Sequence, residues 1–235
     1  MHSGSAFLST QWSMVLAAPD DPAILDTLLR RYLGPIYAYV RRAGNPRDLA
    51  ADLTQEFVSQ IILQRGLLDR ADPARGRFRI FLKSALSNFL VDQHRRGTTR
   101  RHSPAAPPLG GLPLDQVEPS ERDDPGAAFD RQWATTVLSS ALSRLEADCE
   151  SCGQQVHWAA FSAAVLEPAL RHTSAPALDG LARRLSIADP AQVSSMLQTV
   201  RRKFRRILRE VVEETLADPG LTQDELVNLR QFLSF

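Results

Sequence analysis

The chain has 235 residues, of which 43% are hydrophobic, so it can bury a substantial core and suits one large domain or two small ones. Its net charge of +1 conceals blocks of opposite sign, so local charge matters more than the total. No apolar run approaches the roughly 20 residues of a membrane span, and polar residues interrupt the N-terminal stretch. We therefore expect neither a membrane protein nor a signal peptide, and we predict a cytoplasmic location.

Residues 22–101 carry apolar side chains at helical spacing in three successive segments. The second segment starts with Asn45 as its expected cap and with Pro46 in its first turn. The third segment begins at Gly76 and is unusual, because a helical apolar stripe and a run of arginines share the same stretch. These segments predict a first helical domain.

Residues 103–128 contain six prolines and three glycines with little periodicity, which predicts a flexible linker. Helical periodicity resumes at Phe129. A short helix at 178–185, a turn, and a long helix from its expected cap Asp189 to about Leu216 have the outline of a helix-turn-helix.

No segment of any length alternates between apolar and polar residues as a half-buried strand does. We therefore predict an all-α fold of two helical bundles joined by a Pro-rich flexible linker, the second bundle containing the helix-turn-helix. The predicted order is a first domain, the linker, a second domain and a C-terminal extension, at residues 1–102, 103–128, 129–216 and 217–235.

Two segments are strongly cationic, one in each predicted domain. Residues 65–102 contain ten Lys or Arg against three acidic residues, and residues 183–209 contain eight against one. A single such run is commonly just a solvated helix face. Two runs, each on a helix with its own apolar stripe, favour nucleic-acid binding through phosphate contacts.

Other chemistry has weaker support. Cys149 and Cys152 precede His157 and His172, but the histidines are too far apart for a usual zinc site, and a redox pair lacks its strand-helix context. Two partly buried thiols in a reducing cytosol are the simpler interpretation. Without a glycine-rich phosphate loop, a nucleophile beside a base or a convincing metal set, we expect no enzyme, no cofactor and no metal.

An acidic ridge lies on the second predicted helix. Asp48, Asp52 and Glu56 follow each other at four-residue steps beside Phe57, a pattern suited to a basic partner helix. A helical di-metal site is the competing interpretation, but the Glu-x-x-His motif that such a site needs is missing.

The stretches "DLTQEF" at 52–57 and "GRFRIFLKSALSNFLVDQHRR" at 76–96, followed by the linker and the helix-turn-helix, resemble bacterial RNA polymerase sigma factors of the extracytoplasmic-function group. The resemblance covers about residues 10–215. It implies a promoter-specificity factor that binds core RNA polymerase, recognises and melts promoter DNA, and directs transcription initiation. The alternative is a helix-turn-helix regulator that binds duplex DNA without polymerase.

The resemblance also implies the site residues. The contacts to core polymerase, at the clamp helices of its largest subunit, would be Asp48, Asp52, Leu53, Gln55, Glu56 and Phe57. The contacts to the minus-ten element, whose non-template strand is held single, would be Arg77, Phe78, Arg79, Phe81, Lys83, Asn88, Asp92, His94, Arg95, Arg96, Arg100 and Arg101. The contacts to the minus-thirty-five duplex would be Gln192, Ser194, Ser195, Gln198, Thr199, Arg201, Arg202, Lys203, Arg205 and Arg206.

Stacking on unpaired bases needs apolar or aromatic faces beside cations, which gives a reason for a helix that is both apolar and basic. Phe78 and Phe89 are nevertheless expected in the core. Phe81 stands where relatives usually have tryptophan, which weakens a stacking role there. The polymerase flap is a further implied partner, the protein would be associated with the nucleoid when bound to polymerase, and relatives are controlled by anti-sigma proteins, C-terminal extensions or kinases.

The C-terminal extension combines an amphipathic stripe with an acidic run. Two interpretations stay open: it folds back onto a basic helix and competes with DNA, or it is a terminal helix that only stabilises the fold. The stripe consists of Leu221, Leu226, Leu229, Phe232 and Leu233.

Overall fold

The computed structural model describes residues 15–64, 66–72, 77–97, 117, 119–120, 123–214, 216, 220 and 222–232. Throughout these ranges the regular structure is helical and no strand occurs, which confirms the all-α prediction. The α-helices are α1 Pro22–Arg42, α2 Arg47–Glu56, α3 Phe78–Gly97, α4 Pro125–Ser151, α5 Gln155–Phe161, α6 Glu167–Arg171, α7 Leu178–Arg184, α8 Pro190–Glu213 and α9 Thr222–Phe232. Two π-helical stretches, Phe57–Gln64 and Ser162–Leu166, extend α2 and join α5 to α6.

Short polar residues start several of these helices. Asp21 caps α1, since its Oδ1 accepts hydrogen bonds from the amides of Ala23 at 2.9 Å and Ile24 at 3.3 Å. The predicted cap Asp189 does the same for α8, accepting from the amide of Ala191 at 2.8 Å. Both helices place proline directly after the cap, where its missing N–H costs nothing.

The predicted cap at Asn45 is wrong. The extended Pro46 takes the cap position of α2 and leaves the helix start without a side-chain hydrogen bond. Asn45 instead donates from Nδ2 to the carbonyl of Val40 at 2.9 Å. It therefore closes the end of α1, whose last carbonyls lack helical partners.

The chain forms two compact units. The first comprises residues up to Thr136 together with Glu213–Phe232, and the second comprises Val137–Val212. This division differs from the predicted domain borders, because the boundary falls inside α4 and the C-terminal segment belongs to the first unit.

The last residues of the predicted linker are also ordered into helix. α4 begins at Pro125, four residues before the predicted restart at Phe129. Asp124 accepts a hydrogen bond from the amide of Ala127 at 2.7 Å, which gives the Asp-Pro pair the character of a cap and a first turn. The prolines and glycines there were interpreted as linker, whereas this pair starts a helix.

Aromatic side chains fill the core of the first unit. The ring of Tyr32 meets Phe78 edge to face at 5.2 Å and stacks against Phe129 at 6.3 Å. Phe57 meets Phe89 edge to face at 5.4 Å. The burial of Phe78 and Phe89 confirms that these rings are core.

In the second unit, the buried stripe of α8 agrees with the predicted one. The described core residues of this stripe are Val193, Leu197, Val200, Ile207 and Val211. Phe204, half-buried, packs its ring 6.1 Å from that of Phe161 on α5. The stripe faces the core of the unit, and the exposed residues of α8 lie on the sides away from it.

Candidate nucleic-acid interface

The outer face of α8 carries a row of arginines. Arg201, Arg202, Arg205 and Arg209 are exposed, and in the part of the chain that the structure describes none of them forms an ion pair. Positions 201, 205 and 209 follow each other at four-residue steps and therefore lie along one side of the helix. This row is a concentrated positive charge that no carboxylate among the described residues pairs with.

Two other cations on α8 are already engaged. Lys203 bonds through Nζ to Oδ2 of Asp148 at 2.7 Å, and this hydrogen bond raises the pKa of Lys203. Arg206 lies 2.9 Å from Oε1 of Glu210 and 3.5 Å from Oδ1 of Asp148. Both residues were predicted to contact DNA, and both have intramolecular partners.

The N-terminal half of α8 presents polar side chains. Gln192, Ser195 and Gln198 are exposed, whereas Ser194 and Thr199 are half-buried. The Thr199 hydroxyl donates to the carbonyl of Ser195 at 3.0 Å, within the helix. The amides and hydroxyls on the exposed residues are groups that can read base edges.

α7 precedes α8 by five residues. Ser186, in this connection, has a φ of 55° in the left-handed region that is uncommon for residues other than glycine. Arg184, at the end of α7, pairs with both oxygens of Glu167 at 2.8 and 3.1 Å, and this pairing lowers the pKa of Glu167. The predicted succession of a short helix, a turn and a long helix is thus present.

The first half of α3 presents a different picture. Arg79 is 7% exposed, and its Nη2 lies 3.0 Å from Oε2 of Glu225 on α9. Arg77, the residue directly before α3, contacts the same oxygen at 3.2 Å. Lys83 pairs with Oδ2 of Asp130 at 2.8 Å. These three of the cations predicted to contact the minus-ten strand are therefore paired with carboxylates of the first unit.

The second half of α3 is open. Asn88, Asp92, His94, Arg95 and Arg96 are exposed, while Phe81 is half-buried with its ring 6.2 Å from that of Phe78. A cavity of about 170 Å³ lies between this half of α3 and the stretch that follows α2. Its lining residues are Gln60, Ile61, Leu67, Arg70, Ala85, Asn88, Phe89, Asp92 and Arg96. Arg100 and Arg101 lie outside the described residues.

The acidic ridge on α2 is accessible in part. Asp48 and Asp52 are exposed, and Leu49 between them is 45% exposed. Glu56 is half-buried and accepts hydrogen bonds from Gln60 at 2.8 Å and from Gln93 of α3.

The other predicted polymerase contacts are less exposed. Leu53 and Gln55 are half-buried, and Phe57 is fully buried. Phe57 therefore supports α2 from the core and is not part of its surface. Its ring packs edge to face against Phe89 in the core.

Three residues of this network were not predicted from the sequence. Asp130 and Glu225 neutralise the cations of α3, and Trp133 lies with its ring 4.6 Å from the guanidinium carbon of Arg79. Asp130 and Glu225 each stand at the end of an acidic run in the sequence, so charge was the signal that could have pointed to them. Trp133 carried no such signal.

The cysteines are free. Cys149 is buried and Cys152 is exposed, and burial raises the pKa of the Cys149 thiol. Within the described residues, no group of three or more His, Cys, Asp or Glu side chains is arranged to hold a metal ion. Across the same ranges, no helix has the length and apolar character needed to cross a membrane.

Comparisons with protein-family models, with curated proteins and with solved structures yield no match to this chain.

Proposed function

We propose that this protein is a promoter-specificity factor of the extracytoplasmic-function sigma type, which brings core RNA polymerase to promoter DNA. It does no chemistry of its own, because the polymerase supplies the active site. Its place of action is the cytoplasm, at the nucleoid when it is bound to polymerase. The proposal rests on three surfaces, on α8, α3 and α2.

The single observation that carries the DNA-binding part is the arginine row on α8. Exposed guanidinium groups without intramolecular carboxylates gain most from phosphate, since binding releases condensed counterions without breaking an ion pair. The exposed amides and hydroxyls of Gln192, Ser195 and Gln198 precede the row on the same helix. In a helix-turn-helix, such N-terminal residues read bases in the major groove while basic residues hold the backbone.

The cavity beside α3 supports a role in holding an unpaired strand. Asn88, Asp92 and Gln60 offer hydrogen-bonding groups, and Phe89 and Ile61 offer apolar surface in the same cavity. An unpaired base presents both a polar edge and an apolar face, so a mixed lining suits it. Arg96 at the rim adds a cation for the backbone.

The acidic ridge on α2 favours a polymerase subunit over a free regulator. Exposed Asp48 and Asp52 flank an exposed leucine, a surface that repels DNA and fits a basic protein helix. A helix-turn-helix regulator that acts without polymerase does not need such an acidic surface. The flap and an anti-sigma protein or other regulator are further partners of the proposed factor.

Capture of core polymerase tests this proposal. The full chain is expected to co-purify with core RNA polymerase and to direct initiation from a genomic template library. Asp52→Lys is expected to abolish capture, because it places a cation in the ridge. Asp20→Lys makes the same charge change at an exposed site outside the ridge and is expected to leave capture intact. Equal loss in both variants, or no capture by the parent chain, would refute the polymerase-binding role and leave the free regulator.

A further inference from the structure

One carboxylate of α9 joins two arginines that lie far away in sequence. Oε2 of Glu225 lies 3.0 Å from Nη2 of Arg79 and 3.2 Å from Nη1 of Arg77, and it accepts a third contact from Nδ2 of Asn228 at 3.3 Å. Glu225 is 1% exposed. The C-terminal helix α9 therefore contacts the basic segment at the start of α3 through ion pairs, which is the contact that the fold-back interpretation requires.

A second carboxylate completes the neutralisation of the same face. Asp130, on α4, pairs with Lys83 at 2.8 Å and approaches Nη1 of Arg79 at 3.7 Å. The cations of the first half of α3 thus have anionic partners from two helices of the first unit. Within the described ranges, the arginine row on α8 has no such partners.

We propose that α9 is an intramolecular inhibitor of nucleic-acid binding by α3, in which Glu225 occupies the place of a strand phosphate. The proposal rests on the function proposed above and adds a means of control to it. Removing α9 exposes Arg77 and Arg79 and gives the α3 surface two further phosphate contacts. The inhibited form is the closed state that the structure presents.

The chemistry of the contact fits exchange. A guanidinium group binds carboxylate and phosphate with the same charge-assisted hydrogen bonds, so a nucleic-acid strand can replace Glu225 at Arg77 and Arg79. The carboxylate is held in the same chain, which gives it an effective concentration in the millimolar range against the free strand. The competition therefore reduces affinity without blocking binding outright.

The closed contact is also incompletely satisfied. Nε and Nη1 of Arg79 and Oδ1 of Asp130 are buried but form no hydrogen bond with the described residues. Buried polar atoms without partners cost free energy, so the network around Arg79 holds α9 less firmly than a fully hydrogen-bonded one would. α9 has 11 residues, and an isolated helix of that length is marginal in water. It is held by its contacts, chiefly Glu225 and the 1% exposed Leu229.

A matched pair of charge substitutions in the full chain tests the proposal. Glu225→Gln removes the paired carboxylate, whereas Asp224→Asn removes the neighbouring, exposed carboxylate, which has no ion pair among the described residues. The probe is a fluorescent single-stranded DNA of mixed sequence. Glu225→Gln is expected to bind this strand about tenfold more tightly than the parent chain. This factor corresponds to a rise of the form with α9 released from about a tenth of the molecules to nearly all of them. Its salt dependence is expected to steepen by about 1.4, or about 0.7 for each added phosphate contact.

Asp224→Asn, which changes the net charge equally, is expected to remain within about twofold of the parent chain. Leu229→Ala weakens the apolar packing of α9 without altering the charge. It is therefore also expected to raise the affinity for the single-stranded DNA. Circular dichroism checks that each variant keeps its helical content.

The outcomes separate the two proposals. Parent-like affinity in both Glu225→Gln and Leu229→Ala would overturn inhibition by α9 while leaving DNA binding in place. Equal tightening by Glu225→Gln and Asp224→Asn would also overturn it, because net charge alone would then explain the gain. Failure of every variant and of the parent chain to bind the strand would overturn DNA binding by α3, and inhibition with it.

Discussion

At the scale of single residues, what surrounds a charge decides what it can do. Asp123 is 8% exposed, and both of its carboxylate oxygens accept hydrogen bonds from Arg131, at 2.8 and 3.0 Å. Its backbone carbonyl accepts another from Arg42 at 2.8 Å. Asp123 therefore links the start of α4 to α1, and the bonds from Arg131 lower the pKa of its carboxyl group.

This pairing predicts a pH-dependent stability. A carboxyl group whose pKa is lowered by folding stabilises the protein above its ordinary pKa of about 3.9 and loses that effect as the pH falls through its folded value. Asp123→Asn is expected to lower the free energy of unfolding at pH 7 by about 1 kcal/mol, a small value because Arg131 is half exposed. Below about pH 4 the difference from the parent chain should shrink towards zero.

Urea unfolding at pH 7 and at pH 3 measures this difference. Asp20→Asn, at an exposed aspartate of the same unit, is expected to match the parent chain at both values. If Asp123→Asn lowers the free energy of unfolding equally at pH 3 and pH 7, the loss comes from altered packing or hydrogen bonding and not from the carboxylate charge.

At the scale of elements, α3 and α8 are both cationic helices, yet their cations differ in availability. Every cation in the first half of α3 has a carboxylate partner, whereas the exposed row on α8 has none within the described residues. Equal charge counts in the sequence therefore do not mean equal surface potential. Of these two sets of described cations, the row on α8 can bind phosphate without first breaking an ion pair.

Neighbouring arginines of α8 make this difference measurable. Arg205→Ala removes an unpaired guanidinium and is expected to reduce the salt slope of binding to a random-sequence duplex by about 0.9. Arg206→Ala removes the same charge from a residue that already pairs with Glu210 and Asp148, and a smaller change is expected.

Fluorescence anisotropy over a series of salt concentrations measures both slopes. The duplex must carry no designed site, so that only backbone contacts are counted. If the two substitutions reduce the slope equally, the ion pairs of Arg206 do not limit its contact with phosphate, and the distinction between paired and unpaired arginines fails.

At the scale of the whole molecule, the first unit is discontinuous in sequence. It is completed by Glu213–Phe232, which follows the second unit in the sequence. Leu216 and Leu229, each 1% exposed, and the buried Glu225 fix this returning segment. The C-terminal segment is thus a component of the first unit and not an appendage of the second.

Ending the chain at Leu221 is expected to loosen the first unit selectively. Amide hydrogen exchange in residues 77–83 should quicken at least about tenfold, because local opening no longer has to break the contacts of α9. Exchange in residues 193–211 should be unchanged, since those residues lie in the second unit. Hydrogen exchange followed by mass spectrometry measures both segments in one sample. A uniform increase would mean that the segment stabilises the molecule as a whole.

The sequence by itself determined the helical class and most helix positions, because the 3.6-residue apolar period, Asp21 and Asp189 as caps, and the prolines after them act locally. It also determined the buried stripe of α8 and the core positions of Phe78 and Phe89. These features depend on residues within one or two turns. The sequence could not determine which cations are free, since that depends on partners remote in the chain.

Only the tertiary structure decided that Glu225 meets Arg79 at a sequence separation of 146, that Asp130 meets Lys83, and that Phe57 turns into the core. It also decided that the boundary between the units lies inside α4, a helix whose periodicity runs through it without a break. An ion pair needs its two groups within a few ångströms, but they can be far apart in the sequence. Neither residue indicates in the sequence which residue is its partner. For that reason the residue types of the candidate interface could be predicted, while their accessibility could not.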